Sequence, residues 1–519
     1  MNKTNEQGKF TVNLPDGSYN YSLVKGGFST VSGNFTVSGS PININRTMFS
    51  QELVLGKLQL RGFAINDIFT QEVYDYYDTN EINNADDYTN KIYIDPDFTG
   101  ISDGSVTHPY KGLADVPQQG DTAYLIKRGT HHEIPASYGN FNFYGENIII
   151  CAYGEGVRPT IQGANLRFGN NYATIRDIEF LSHSPAFTNT NSLAHFGTIF
   201  NVKCSGIWTF SRNTRFIGCE ISGSGSNGIF VQQWDLSVDQ HVEIAYCHIY
   251  EVNQSWHPDE EGGEPKGQWD AFGDGIQFST YRGTYHIHNC IVDRSDTGNK
   301  FCVIVNAHTN GGHMITGIIE NNIMYGPQSY PDGGAIIYLG NVVGENLPSP
   351  SAFHTCTIRK NRLIGSYSPM GDNWTGACLY ANSTLMYVYG NLLKDTDYGG
   401  LIGSYQGQSE FYNNTVTGIK GSNQVMRGTI HHMHNNILPN TNNTTPQTSS
   451  GNNIILTTHS PADVFHDLDT EDYRLKAGSP AIDYGTWQAY MSAEYNEDMR
   501  GVAIPQNNNI DAGALQYEE

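Results

Sequence analysis

Apolar and polar positions alternate along most of this chain in short runs, a period that predicts strands rather than helices. One pattern returns throughout: an apolar residue, two variable ones, Asn or Cys, one more, then apolar again. It occurs as Ile148-Ile-Ile-Cys151-Ala-Tyr153, Phe216-Ile-Gly-Cys219-Glu-Ile221, Ile244-Ala-Tyr-Cys247-His-Ile249 and Ile287-His-Asn-Cys290-Ile-Val292. It continues as Ile319-Glu-Asn-Asn322-Ile-Met324, Ile358-Arg-Lys-Asn361-Arg-Leu363, Val388-Tyr-Gly-Asn391-Leu-Leu393, Phe411-Tyr-Asn-Asn414-Thr-Val416 and Met433-His-Asn-Asn436-Ile-Leu438. A degenerate copy, Ile175-Arg-Asp-Ile178-Glu-Phe180, follows the first. From Phe216 onward the copies start 28, 43, 32, 39, 30, 23 and 22 residues apart.

A floor of 22 residues with variable excess is too short for a strand–helix pair. It suits a coil of short strands with corner loops of free length. Stacked coils bury a continuous apolar interior and lay like residue over like. Cys219, Cys247, Cys290, Asn322, Asn361, Asn391, Asn414 and Asn436 are therefore expected to form one internal ladder, its amides hydrogen-bonding from coil to coil. A second strand follows each anchor after a turn, as in Gly228-Ile-Phe-Val231, Gly275-Ile-Gln-Phe278, Phe301-Cys-Val-Ile-Val305 and Ala335-Ile-Ile-Tyr338. The pattern predicts a solenoid of about ten coils over residues 91–519. Residues 1–50 instead alternate around Asp16-Gly17 and Gly26-Gly27, with strands expected at Phe10-Thr-Val-Asn-Leu14, Tyr19-Asn-Tyr21-Ser-Leu23 and Phe35-Thr-Val37. Residues 51–90 read as a linker ending in an acidic polar stretch.

Composition narrows the function. Lys and Arg number 29 against 52 Asp and Glu, a net charge of −23. Such a chain lacks the cationic surplus that holds a nucleic-acid backbone. A polyanionic substrate would need a local basic patch or bound cations. Only 16% of residues are charged and 12% are aromatic, which speaks against coiled coil and disorder alike. No apolar run is long enough for a membrane span. The opening MNKTNEQGKF has no apolar h-region, so no signal peptide is expected within the chain. The eight cysteines show no CxxC spacing, which speaks against zinc and thioredoxin-like chemistry, and buried reduced thiols are expected.

The repeated copies resemble the right-handed parallel β-helix (pectate-lyase-like) superfamily of carbohydrate-active proteins. Ile92-Tyr93-Ile94-Asp95, Asp103-Gly104, Pro109-Tyr110 and Gly120-Asp121-Thr122-Ala123-Tyr124-Leu125 are similar to the opening of secreted β-helix enzymes. Asp472-Tyr473-Arg474-Leu475, Gly478-Ser-Pro-Ala-Ile-Asp483, Arg500-Gly501 and Asp511-Ala-Gly-Ala-Leu-Gln-Tyr517 are similar to the tail that closes many bacterial members. Residues 1–50 resemble the second half of a carboxypeptidase-regulatory-like β-sandwich, without its first strands. The resemblance implies an all-β protein, a right-handed parallel β-helix behind a small partial β-sandwich module. It also implies work on a polysaccharide, outside the cell or at its surface.

The longest turn, 250–274, carries Trp256, Trp269, Asp270 and Asp274, and the coil above it adds Asp293, Arg294, Asp296 and Lys300. Aromatic rings packing on sugar faces beside carboxylates that bind hydroxyls are the chemistry of a glycan groove. Trp256, Trp269, Arg294, Tyr325, Tyr330 and Trp374 are the candidate substrate-binding residues. Hydrolysis needs two carboxyl groups roughly 5–9.5 Å apart, which Asp270, Asp274 and Asp296 can supply from neighbouring coils. β-Elimination of a uronate polymer needs a base, Lys300 or His308, and a cation to neutralise the carboxylate, Arg282 or Arg294. A Ca²⁺ held by Asp293 and Asp296 serves the same end. Neither the polygalacturonase aspartate pair with its Gly-His-Gly nor a pectate-lyase arginine signature is present, so lyase and hydrolase both stand. The competing class is a tailspike-like or surface β-helix that binds host glycan without catalysis, a homotrimer on a virion tail where the enzyme would be a monomer. His432 and His434 share a strand face, as metal ligands would. In a regular coil, however, that pair and His131-His132 are expected simply to line the surface.

Overall fold

The computed structural model describes residues 17–23, 31–37 and 65–518, the last without 136–139, 144, 164, 169–171, 182–185, 188–195, 225–226, 234–237, 253–272, 296–300, 309–314, 327–334, 343–353, 367–377, 382–384, 397–400, 403–408, 419–425, 428–429, 441–447, 469–471, 493 and 506–508. Three parallel sheets of 14, 13 and 11 strands run along the molecule, each joining strands from successive coils. One coil illustrates them all. Gly283–His288 lies in the first sheet, Ile291–Asp293 in the second and Val303–His308 in the third. Ile315–Glu320 then re-enters the first sheet beside Gly283–His288. The chain is thus a parallel β-helix, and the 11 strands of the third sheet count the coils described on all three faces.

The repeated pattern marks a corner rather than a strand. Its first residue ends the inward row of the first sheet, as in the register Phe216–Ile244–Ile287–Ile319. The Asn or Cys then sits at the turn into the second sheet, just after a left-handed residue: Gly218, Tyr246, Asn289, Asn321, Lys360, Gly390, Asn413 and Asn435 have φ of 51–65°. So tight a corner requires that conformation, which Gly and Asn adopt most cheaply. The expected ladder forms. Asn322, Asn361, Asn391 and Asn414 each donate Nδ2–H to the Oδ1 one coil on, at 3.0, 3.0, 3.0 and 3.2 Å. Asn453 extends it by one rung, accepting from Asn436 at 3.0 Å. At the other end the Cys290 N–H reaches Asn322 Oδ1 at 2.9 Å. All eight cysteines are buried free thiols.

Two assignments change. The copy at 148–153 does not mark a corner: Cys151 lies within the strand Ile148–Tyr153, paired with Arg176, on the outward side with Tyr88 and Leu125. Inward positions recur every two residues, so the pattern matched one step early, and Ile150 rather than Ile148 aligns with Ile175. A coil through Ile199 and Val202 also lacked the signal, because Val stands where Asn or Cys would. Inside the solenoid, Tyr285 reaches past Gly317 to His354 at 3.0 Å. A Cβ at Gly317 would meet the Tyr285 ring at 1.9 Å, so only glycine fits.

Part of the expected linker is folded. The helices Ile65–Ile68 and Gln71–Asn80 lie against the outer face of the first sheet, Phe69, Tyr77 and Ile82 packing on Phe200, Ile217 and Ala245. Arg176 pairs with Asp78 at 2.6 Å and Arg215 with Glu81 at 2.5 Å. Near the other end of that sheet, Met491 and Tyr495 cover Tyr389 and Tyr412, and Arg359 pairs with Glu494 at 2.8 Å. Of the N-terminal module, the described part is one antiparallel pair, Gly17–Leu23 with Val31–Val37; the strand expected at 10–14 lies outside the described residues. Among those residues no helix is long and apolar enough to cross a membrane.

Candidate functional site

The third sheet alternates like the others, so residues between two inward ones face outward. Ile229 and Val231 are buried in the core, which turns Phe230 out. Register carries that outward row through Trp208, Phe230, Gln277, Ile304, Tyr338 and Tyr380. Trp208 is 41% exposed and meets Phe230 edge-on at 5.6 Å. Tyr338 stacks on Tyr380 at 5.1 Å, with the rings 11° from parallel. The next outward row brings Gln232 beside Ser279. At about 4.8 Å per coil, Trp208 to Tyr380 spans about 24 Å. Reading the alternation of these strands outward, as well as inward, would have found the row from sequence.

Segments 253–272, 296–300, 327–334, 367–377 and 397–400 each lead from the second sheet to the third. The described strand ends that they join lie along one edge of the aromatic face. Segments 309–314 and 343–353 connect the third sheet to the first, and the third-sheet strand ends before them lie on the opposite edge. Trp256, Trp269, Asp270, Asp296, Lys300, Tyr330 and Trp374 lie outside the described residues. His308 ends the strand Val303–His308, on the opposite edge from Asp274; its side chain lies outside them too.

Asp274 stands at the root of the long insertion. It is buried, its N–H donates to Asn227 Oδ1 at 3.0 Å, and Asn227 donates to Gln277 Oε1 at 2.6 Å. Arg282 is the single residue joining Ile276–Tyr281 to Gly283–His288, and its Nε donates to Asp239 at 2.7 Å. Asp274 and Arg282 thus stand at opposite ends of one strand, on the order of 25 Å apart at 3.3 Å per residue, and do not meet. Arg294 and Tyr325 are placed away from the groove. Arg294 is fully buried and donates to the carbonyls of Val252, at 3.0 Å, and Gly273. Burial lowers its pKa to about 10. It ties down the corner from which the insertion springs. Tyr325 packs with Ile291, Ile323 and Ile68 outside the second sheet, beneath a helix the sequence did not reveal.

Asp293 Oδ1 accepts from Ser295 N and Oγ at 2.9 and 2.6 Å. Among the described residues, no group of three or more His, Cys, Asp or Glu side chains is arranged to hold a metal ion. His432 Nδ1 and His434 Nε2 both hydrogen-bond Ser449 Oγ, at 2.7 and 2.8 Å. His132 is buried against Thr130, and burial pushes it down to about 4. One acid stands out elsewhere. Burial on the outer face of the first sheet pushes Glu410 up to about 7. Its Oε2 has no hydrogen-bond partner, and its strand neighbours are Tyr387 and His432.

No protein-family model matches this chain, and no curated protein matches it. Among solved structures, it is similar to a GH136 lacto-N-biosidase from Eubacterium ramulus, at 12% identity and a TM-score of 0.41, over 70% of this chain and 68% of that one. It is also similar to a rhamnogalacturonan lyase, at 14% identity and a TM-score of 0.27, over 80% of this chain and 99% of that one.

Proposed function

We propose that this protein binds a polysaccharide along the outer face of the third sheet and cleaves it there, outside the cell. The observation that carries the reading is the row Trp208–Phe230–Tyr338–Tyr380, with Gln277 and Ile304 between Phe230 and Tyr338. Sugar rings offer C–H faces to aromatic surfaces, while their hydroxyls exchange hydrogen bonds with amides and hydroxyls. A sheet holds such groups at fixed spacing, as a binding site requires. The chemistry belongs at the edge rooted by Asp274, where Asp270, Asp274 and Asp296 are the acid and base candidates for hydrolysis. Elimination would draw on Lys300 as base there, with Ca²⁺ at Asp293 and Asp296 where a uronate is the substrate.

A polysaccharide panel tests this, following new reducing ends and absorbance at about 235 nm, where the unsaturated product of proton abstraction absorbs. Trp208→Ala and Tyr338→Ala should each weaken binding about tenfold, or about 1.4 kcal/mol. Wild-type affinity in both variants would sink the groove. Binding without cleavage, in a protein running as a trimer, would favour the tailspike-like reading.

A further inference from the structure

We infer that Arg362, on the outer face of the second sheet, anchors a binding site for a small carboxylate-bearing ligand, on a different face from the aromatic row. Arg362 opens the strand Arg362–Ser366. Leu363 belongs to the interior core, which turns its neighbours Arg362 and Ile364 outward. Register sets Arg362 between Ile323 and Leu392, with Tyr325 beside Ile364 in the next row. Ile323 and Leu392 are buried, and Arg362 is only 2% exposed. Its Nε and Nη2 have no hydrogen-bond partner among the described residues. The nearest described acid of its row, Glu220, stands four coils back, about 19 Å away.

A guanidinium taken out of water needs an opposite charge or hydrogen bonds in place of its lost hydration. Burial lowers the Arg362 pKa to about 9, so the group keeps its charge at neutral pH. Elsewhere the chain meets this need with its own groups. Arg500, also buried, donates Nε and Nη2 to Asp498 Oδ2 at 3.0 and 2.8 Å. Arg474 turns the same two nitrogens on Asp472, at 2.8 and 2.5 Å, and Arg294 takes the carbonyls of Val252 and Gly273. Arg362 presents that same Nε–Nη2 edge, the pair of parallel donors that grips a carboxylate side-on. Its neighbours select among oxyanions. Ile323, Leu392 and Ile364 are apolar, and a singly charged carboxylate on an apolar body leaves water more readily than phosphate or sulfate.

Thermal unfolding of the full chain tests this, in sodium butyrate, benzoate, phosphate or sulfate against sodium chloride of equal ionic strength. Phosphate and sulfate stabilise folded proteins generally by exclusion from their surfaces. The measure is therefore a saturable shift that is present in the wild type and lost in Arg362→Met. Butyrate or benzoate should raise the wild-type unfolding temperature by about 1–2 °C at ten times its Kd. Arg362→Met should abolish this rise. Arg362→Lys, which keeps the charge without the fork, should need at least about tenfold more ligand for it, and it serves as the comparison should the methionine variant not fold. No saturable rise with either carboxylate in the wild type, or an equal rise in the variants, would overturn the site. An Arg362-dependent rise with phosphate or sulfate alone would overturn its assignment to a carboxylate.

Discussion

Replacing Asn391 with leucine removes one rung of the internal ladder, and the structure allows its cost to be worked out. The Asn391 Oδ1 accepts from the N–H and the Nδ2 of Asn361, at 2.9 and 3.0 Å. Its Nδ2 donates to Ile358 O, Tyr389 O and Asn414 Oδ1 at 2.8, 3.1 and 3.0 Å. In Asn391→Leu the Asn361 amide group keeps Ile319 O, and Asn414 Oδ1 keeps the N–H of residue 391. The Asn361 N–H loses its partner in a dry interior. Stranding one buried donor costs about 1–3 kcal/mol, and lost bonds to carbonyls add to that. The leucine returns about 1–2 kcal/mol of apolar burial. The net expectation is destabilisation by about 2 kcal/mol.

The assay is urea unfolding followed by circular dichroism, comparing midpoints at constant slope. Asn361→Leu should behave alike. The double variant should cost less than the sum of the singles, since the Asn361 Nδ2–Asn391 Oδ1 bond is lost in each single and only once in the double. Unchanged midpoints in both single variants would refute the ladder. Strict additivity would refute the coupling between its rungs.

Glu410 carries a pH dependence of definite sign. Burial raises its pKa from 4.5 to about 7, so the folded state holds a proton that the unfolded chain gives up. That contribution is complete below pH 4.5 and is lost as pH rises to about 7, a span worth about 3 kcal/mol. Glu410→Gln should unfold later than the wild type by up to that amount above pH 7, and superimposable pH profiles would disprove it. The thiols should be inert: burial raises Cys204, Cys219, Cys247 and Cys302 well above the usual range. Reductant should leave stability unchanged, and thiol reagents should label few cysteines without denaturant. A mapped Cys219–Cys247 or Cys247–Cys290 disulfide would contradict this. Gly218 has φ +63°, and a Cβ there would lie 2.3 Å from the Phe69 ring. Gly218→Ala should therefore loosen the docked helices and raise proteolysis within 65–88, while the solenoid stays resistant; an unchanged digestion pattern would count against it.

The sequence by itself determined the solenoid and its ladder, because both are local and repeated. A corner that needs a left-handed residue followed by an inward amide writes the same few letters in every coil, and stacking lays those letters in register. It could not tell Ile148 from Ile150 as the aligned residue, since a two-residue slip keeps the same face inward. It also passed over the coil at Val202, where the corner is made without the amide. The candidate site was legible only in part. Alternation implies the outward row of Trp208, Phe230, Tyr338 and Tyr380 once the inward positions are known. The fates of Arg294, Tyr325 and Arg282 depended on partners far along the chain or around the coil. Arg294 is held beneath the corner by Val252 and Gly273, and Tyr325 is covered by Ile68 from the N-terminal helices. Arg282 is carried by one full strand away from Asp274. Which charged side chains face a ligand was decided by tertiary structure, because burial and edge are set by what packs across the coil and leave no periodic trace in the residues themselves.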